Sequence, residues 1–173
     1  DGEEQLMINT ATLPRYTDGA GVQMMAVVVA GHASGLTQTF TVNYTNQDGV
    51  SGRTSQVVRL NNQFVNGTII TSALATANCN GPFIPLQSGD SGVRSIEGLT
   101  MVGSDVGLMT LVLVKPIAQL SIRGLDAPVE VDYLKDFSHL PEIKDDAYLN
   151  LIGCPNGSLS GVSLHGEIST SWG

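Results

Sequence analysis

Charged residues are scarce in this sequence. They make up 14% of its 173 residues, against about 25% in typical soluble domains. Lysine and arginine together number 8, while aspartate and glutamate number 16, so the formal net charge is −8. Binding to nucleic-acid phosphates depends on clustered basic side chains, and the arginines here are scattered. We therefore expect neither nucleic acid nor an anionic membrane surface as a partner.

Long apolar runs are also missing. The longest, residues 24–30 and 111–114, are far shorter than the roughly 20 residues of a membrane-spanning helix, so no membrane partner is expected. The first residues lack the charged-then-apolar pattern of a signal peptide. Neutral polar residues replace the charges, and such a surface resists self-association less well. Two interpretations stay open here: a surface covered by other subunits, or a monomer kept in solution by hydroxyls and amides.

Cysteine and histidine are too sparse to suggest a metal site. The chain has two cysteines, Cys79 and Cys154, and three histidines, His32, His139 and His165. None has a second ligand at a spacing typical of zinc sites. The cysteines can form a disulfide or stay free, and free thiols are the default expectation. There is also no glycine-rich loop of the kind that holds phosphates, so we expect no metal and no cofactor.

Alternation with period two is the strongest pattern that the sequence does contain. Over residues 36–45, apolar side chains alternate with threonine and asparagine, as in a strand with one buried face. Residues 46–49, Asn-Gln-Asp-Gly, are a good turn sequence. Residues 50–60 are therefore expected to return as the second arm of a hairpin.

The same alternation recurs over residues 118–123, 129–133 and 162–168, while residues 24–30 and 108–114 are continuous apolar runs. Strands that recur between turn residues indicate a sandwich or barrel. We predict an all-β fold, an antiparallel β-sandwich of jelly-roll type with at least eight strands. Residues 137–148 are allowed one or two helical turns, because Pro141 limits them. The predicted core comprises Phe40, Val42, Tyr44, Leu111, Leu113, Leu120, Ile122, Val131, Val162 and Leu164.

The first 21 residues show no period. We therefore divide the chain into an extended N-terminal arm, residues 1–21, and a single β-sandwich domain, residues 22–173. Apolar side chains on an isolated arm stay in water and contribute little free energy to folding. Laid across a neighbouring chain, the same side chains are removed from water, which is favourable. The predicted interface residues are Leu6, Met7, Ile8 and Leu13 of the arm, with Trp172 near the other end.

One motif suggests catalysis. Gly89-Asp90-Ser91-Gly92 matches the core of the nucleophile motif of trypsin-like serine proteases, in which backbone N–H groups form an oxyanion hole. His32 lies upstream, as the general base does there. However, the family's next residues, Gly-Pro, are replaced by Val-Arg, and the interval from His32 to Ser91 leaves little room for a first barrel. A tight turn is the simpler interpretation, and a serine hydrolase using Ser91 and His32 is kept as an alternative.

A second alternative is a receptor- or carbohydrate-binding β-module of a fibre. Such a module stacks sugars on exposed aromatic side chains, and the chain has only four Phe, four Tyr and one Trp. Paired carboxylates for glycoside hydrolysis are defined by distance in space rather than by spacing in sequence, and nothing in the sequence favours them. We therefore expect no enzymatic activity.

Two segments carry a resemblance to a known class of proteins. YTNQDGVSGR at residues 44–53 and PFIPLQSGDSGVRSIE at residues 82–97 resemble segments of structural proteins of tailed bacteriophages, of the head decoration or cement type. The resemblance implies a virion protein of the phage head, made in the host cytoplasm. Its partners would be other copies of itself and the major capsid or other virion proteins. Together with the low charge, it leads us to expect a homo-oligomer, with a trimer as the favoured form.

Overall fold

The structure is a computed structural model. It describes residues 5–6, 13–31, 38–60, 65–70, 81–103, 106–122, 124, 127–137, 140–153, 163 and 165–170. Within these residues lie eight strands and one short helix. They are β1 (Gln5–Leu6), β2 (Gln23–Ala30), β3 (Thr39–Asn46), β4 (Arg53–Thr54), β5 (Val58–Arg59), β6 (Ile69–Ile70), β7 (Val93–Val102), β8 (Leu108–Val114) and α1 (Tyr133–Asp136).

The strands form two antiparallel sheets. In the first, the order is β1-β7-β3-β4, and β5 also pairs with β3. In the second, the order is β6-β2-β8. Every pairing is antiparallel. The prediction of an all-β chain with almost no helix is therefore confirmed.

The predicted hairpin is confirmed as well. Side chains of β3 alternate between buried and half-buried, as the alternation over residues 36–45 predicts. The chain turns after Asn46, where Gly49 has a φ of 78°, a left-handed conformation that glycine adopts without steric cost. The returning arm pairs with β3 in two short pieces, β4 and β5.

One apolar core draws side chains from both sheets. Phe40, Val42 and Tyr44 of β3 are fully buried, as predicted. They share the core with alternate residues of β2, and Leu111 and Leu113 of β8 pack against it while only partly buried. The full set of buried core residues is Met24, Ala26, Val28, Phe40, Val42, Tyr44, Val58, Leu60, Ile70, Ile84, Val93 and Leu99.

The strands predicted after β8 are not observed. Residues 118–122 and 129–132 are not in a strand, and neither are the described residues of 162–168, namely 163 and 165–168. Leu120 and Ile122 are 47% and 53% exposed, so their predicted burial was wrong, and Val131 is only half-buried. Alternation creates a burial face only where a neighbouring strand supplies backbone partners. Val162 and Leu164 lie outside the described residues.

The helix was predicted in the wrong place. It covers only Tyr133–Asp136, before the predicted range, and the described residues of 137–148 contain no helix. The Asp132 carboxylate accepts a hydrogen bond of 3.0 Å from the Leu134 N–H, a helix N-cap, and the Tyr133 and Phe137 rings stack at 4.7 Å. Nothing in the described part of the chain forms a helix long enough to span a membrane.

Part of the N-terminal arm lies against the first sheet. Gln5 and Leu6 form β1, which pairs with Gly98 and Leu99 of β7. Directly after the arm, the Val22 carbonyl accepts a hydrogen bond of 3.1 Å from the Val93 N–H. Part of the arm therefore forms the edge of its own sheet. The division at residue 21 stays a prediction.

Candidate functional site

The densest polar contacts of the described residues lie where two loops meet beside β3. One is the turn between β3 and β4. The other is the loop of residues 81–92, which leads into β7. The two segments that carry the bacteriophage resemblance, residues 44–53 and 82–97, include most of these loops and continue into the adjoining strands. The fold brings the two segments into direct contact.

A buried carboxylate, that of Asp90, lies at the centre of this contact. Its Oδ2 accepts hydrogen bonds from the Tyr44 hydroxyl at 2.6 Å and from Arg53 Nε at 2.9 Å. Its Oδ1 accepts from Asn46 Nδ2 at 2.8 Å and from Arg53 Nη2 at 3.1 Å. The Asp90 side chain is 3% exposed and that of Arg53 is 25% exposed. We call these four residues, Tyr44, Asn46, Arg53 and Asp90, the Asp90 cluster.

The Asp90 cluster stays in one protonation state across the neutral range. The paired hydrogen bonds from Arg53, followed by those from Tyr44 and Asn46, outweigh the effect of burial and lower the pKa of Asp90 to about 2. Burial, followed by the hydrogen bond to Asp90, raises the pKa of Tyr44 to about 12. The carboxylate is therefore ionised and the phenol neutral at pH 7, and neither is poised for acid–base catalysis, which favours a pKa near the working pH.

Hydrogen bonds from backbone N–H groups to side-chain oxygens close the turn and connect it to the loop. Asn46 Oδ1 accepts from the N–H groups of Asp48 and Val50, at 3.1 and 2.9 Å. Gln47 Oε1 accepts from the N–H groups of Ser91 and Gly92, at 3.0 and 3.1 Å. The side chains at positions 46 and 47 thus satisfy four backbone donors.

Further bonds extend the contact along β3 and β4. Glu97 Oε1 accepts from the Thr45 hydroxyl at 2.7 Å and from the Gly52 N–H at 3.1 Å. The Gln87 N–H donates to the Tyr44 hydroxyl at 2.9 Å, and Gln87 Oε1 accepts from the Thr54 N–H at 3.2 Å. The Tyr44 hydroxyl is therefore both donor and acceptor, and the loop is fixed on both sides of Asp90.

This geometry does not supply the oxyanion hole that the protease alternative needs. An oxyanion hole requires N–H groups that are free to face the substrate, but those of Ser91 and Gly92 donate to Gln47. Ser91 is exposed. Within the described residues, no hydrogen bond joins the Ser91 hydroxyl to a histidine; of the three histidines, these residues include His165. His32 and His139 lie outside the described residues. The described residues also contain no group of three or more His, Cys, Asp or Glu side chains arranged to hold a metal ion.

The second notable surface is the C-terminal segment, which we define as residues 115–170. Its described residues form one four-residue helix and no strand, and many of its large apolar side chains are exposed. They are Leu120, Ile122, Val129, Leu134, Phe137, Leu140, Ile143, Tyr148, Leu149, Leu151 and Ile168. Their number along one segment makes it a candidate interaction surface.

The predicted interface residues are only partly covered by the structure. The backbone of Leu6 lies in β1, and Leu13 is half-buried. Met7, Ile8, Trp172, Cys79 and Cys154 lie outside the described residues. The interface and the state of the thiols stay predictions.

Sequence reasoning missed both the Asp90 cluster and the exposed surface of the C-terminal segment. The motif search interpreted Asp90 as a turn residue. One signal was available: Tyr44 was predicted to be buried, and a buried tyrosine hydroxyl requires a hydrogen-bond partner. The partner's position, 46 residues later in the sequence, was not available from that signal.

Comparison of the chain with protein families, with curated proteins and with solved structures found no match. The resemblance to bacteriophage structural proteins therefore rests on the two segments alone.

Proposed function

We propose that this protein is a structural component of a bacteriophage virion, a decoration or cement protein of the head that acts through subunit–subunit contacts. The exposed apolar side chains of the C-terminal segment carry the proposal. An isolated chain leaves them in water, whereas a neighbouring copy or the capsid shell removes them from water and gains about 25 cal/mol per Å² of apolar area.

The Asp90 cluster supports a structural role. Both carboxylate oxygens are saturated by donors, and the tyrosine and the ion pair hold protonation states that do not change near neutral pH. Such a group fixes the shape of a loop. It fixes the two segments of the resemblance against each other, so their shared shape is available for recognition by a partner.

The proposal includes the finer description of the fold. We infer that the two sheets face each other as a β-sandwich of jelly-roll type, because alternate residues of β2 and β3 enter the same core. Two stacked sheets that bury one face each are the usual solution for antiparallel strands of this length.

Assembly gives the mechanism. A stable interface buries about 800 Å² on each partner. Repeating it around a homo-oligomer, for which we keep the trimer as the expected form, and again at each capsid site multiplies weak contacts into tight attachment. The partners are copies of the chain and the major capsid or other virion proteins. The proposal involves no cofactor, nucleic acid or membrane.

Co-sedimentation with assembled shells of the major capsid protein tests the proposal. We expect the full chain to pellet with the shells and saturate at a fixed ratio to capsid subunits. Leu151→Asp, which puts a charge on an exposed apolar position, should weaken binding at least about tenfold. Asn150→Asp adds the same charge one residue away and should bind almost as well as the unmodified chain.

Two outcomes would contradict the proposal. One is a chain that stays in the supernatant at every shell concentration. The other is labelling of Ser91 by a fluorophosphonate, since only an activated serine reacts readily. That labelling, lost in Ser91→Ala, would favour the serine hydrolase alternative.

A further inference from the structure

The outer edge of β8 is open within the described residues. β8 is the last strand of the sheet β6-β2-β8 and pairs only with β2. On β2, the Met24 carbonyl accepts from the Ile84 N–H and the Val28 N–H donates to the Thr68 carbonyl. Because successive residues of a strand point their backbone groups to opposite edges, the even-numbered residues of β2 face away from β8 and the odd-numbered ones face it.

The register of the β2–β8 pairing then shows which backbone groups of β8 make no hydrogen bond to β2. The odd-numbered residues of β2 lie opposite Val114, Val112 and Thr110, so these three make the hydrogen bonds to β2. The backbone N–H and C=O groups of Leu111 and Leu113 therefore point to the other edge, where no described residue pairs with them.

Among the described residues, β8 has no side chain of the kinds that usually protect an edge against strand addition, and the one register shift in its pairing with β2 lies at its first residues, opposite Val28–Ala30. Proteins cover or disrupt open edges with charged side chains, proline or bulges. The seven residues of β8, LMTLVLV, contain no charge, no proline and no glycine. An open edge of this composition is suited to accept a further strand.

The chain also contains a segment with the pattern of a strand that pairs with no strand among the described residues. Residues 118–122 alternate, with Leu120 and Ile122 on one parity, yet they form no strand and expose both side chains. The Gln119 N–H donates to the Tyr133 hydroxyl at 3.1 Å. In an extended chain, the backbone groups of Leu120 therefore point to the opposite side, away from Tyr133.

The segment cannot reach the edge of its own β8 by a tight hairpin. Such a hairpin would have to turn within residues 115–117, Lys-Pro-Ile, and two- or three-residue hairpin loops need at least one residue with positive φ. Proline cannot adopt that conformation, and a β-branched isoleucine strongly disfavours it. In the structure, none of residues 115–117 has a positive φ.

We propose that residues 118–122 of one copy of this chain add as a strand to the open β8 edge of a second copy. Neither segment carries a charge, so no repulsion opposes the pairing. The contact joins two different surfaces of the same protein and therefore repeats from copy to copy. It closes into a ring, such as the expected trimer, when the rotation between successive copies is a whole fraction of a turn. The inference rests on the self-association included in the proposed function, and it does not depend on binding to a capsid.

Light scattering of matched proline variants tests the pairing. The full chain should run at a multiple of its 18.2 kDa mass. Leu120→Pro removes the N–H that points to the neighbour and should shift association to at least about tenfold higher concentration. Ser121→Pro removes an N–H of the opposite parity and should assemble as the full chain does. Circular dichroism should show the same β content in both variants, since the segment forms no strand in the isolated chain.

A capped peptide of residues 115–123 provides a direct probe. It should bind the Leu120→Pro protein, whose β8 edge is intact, with one peptide per chain, and the same peptide N-methylated at Leu120 should not bind. Equal assembly of Leu120→Pro and Ser121→Pro overturns the inference, and so does a full chain that stays monomeric at high concentration. If the strand adds to β8 but the protein does not bind capsid shells, the proposed function is wrong and this inference stands. If the protein binds shells but the strand does not add to β8, only this inference is wrong.

Discussion

At the scale of single residues, the Tyr44 hydroxyl controls how the loop of residues 81–92 is attached. It donates to Asp90 and accepts from the Gln87 N–H, and its ring is fully buried. Removing a buried hydroxyl that makes two hydrogen bonds lowers stability, because each of its partners stays out of water and loses a hydrogen bond.

We therefore expect Tyr44→Phe to lower the free energy of unfolding by about 1 to 3 kcal/mol. Urea denaturation followed by circular dichroism measures the change. Tyr148→Phe makes the same chemical change on a side chain that is 97% exposed and should differ from the unmodified protein by less than about 0.5 kcal/mol. Equal effects of the two substitutions would show that the Asp90 cluster contributes nothing to stability.

The Asp90 carboxylate makes stability depend on pH in the acid range. Its pKa is about 2 in the folded protein and 3.8 ordinarily. Because the folded pKa is the lower one, the stabilisation is complete above about pH 4 and is lost as the pH falls towards about 2. We expect the difference in unfolding free energy between the unmodified chain and Asp90→Asn to shrink across that window. A difference that stayed constant from pH 5 to 2 would contradict the assigned shift.

At the scale of elements, the sequence predicted β2, β3 and β8 but not β7, the strand Val93–Val102 that pairs with β3 along its whole length. The alternation over residues 36–45 and the apolar runs at 24–30 and 108–114 became β3, β2 and β8. The equally regular alternation at residues 118–122 did not become a strand, because period two indicates which side chains share a face but does not indicate a pairing partner. The Asp90 cluster was not predictable for a similar reason: Asp90 joins Arg53 and Tyr44 across 37 and 46 positions.

The packing of the N-terminal arm on the loop depends on a glycine. A Cβ placed on Gly92 would lie 2.0 Å from the Gly19 carbonyl oxygen, and backbone atoms cannot move aside as a flexible side chain can. Gly92→Ala should therefore destabilise the protein by about 1 to 3 kcal/mol, measured by thermal unfolding. Gly153→Ala, whose added Cβ would contact nothing within 4 Å, is the control and should have little effect. Equal melting temperatures would show that the arm moves freely away from residue 92.

At the scale of the whole molecule, the described chain has two unlike parts. The sheets carry the buried core, whereas the C-terminal segment carries exposed apolar side chains and almost no regular structure. Under the proposed function, neighbouring subunits would cover these side chains, and the N-terminal arm, with β1 at the edge of the first sheet, would be a second element of the assembly.

Deleting residues 1–13 tests the role of the arm. We expect the truncated chain to keep its β content, because β1 supplies only two residues to its sheet, and to assemble or bind shells more weakly, because the apolar side chains of the arm are gone. Light scattering and co-sedimentation measure the two effects. If the truncated chain assembled as well as the full one, the arm would be a leader without a structural role.

The burial of Tyr44, together with its bond to Asp90, also gives the protein an internal optical signal. Ordinary tyrosines lose their proton near pH 10, and the ultraviolet absorption of the phenol changes when they do. Tyr44, with a pKa of about 12, stays neutral near pH 10 as long as the loop covers it, whereas detachment of the loop lets it ionise with ordinary tyrosines. During a titration near pH 10, the additional absorption of one phenolate therefore reports the detachment of that loop without any label.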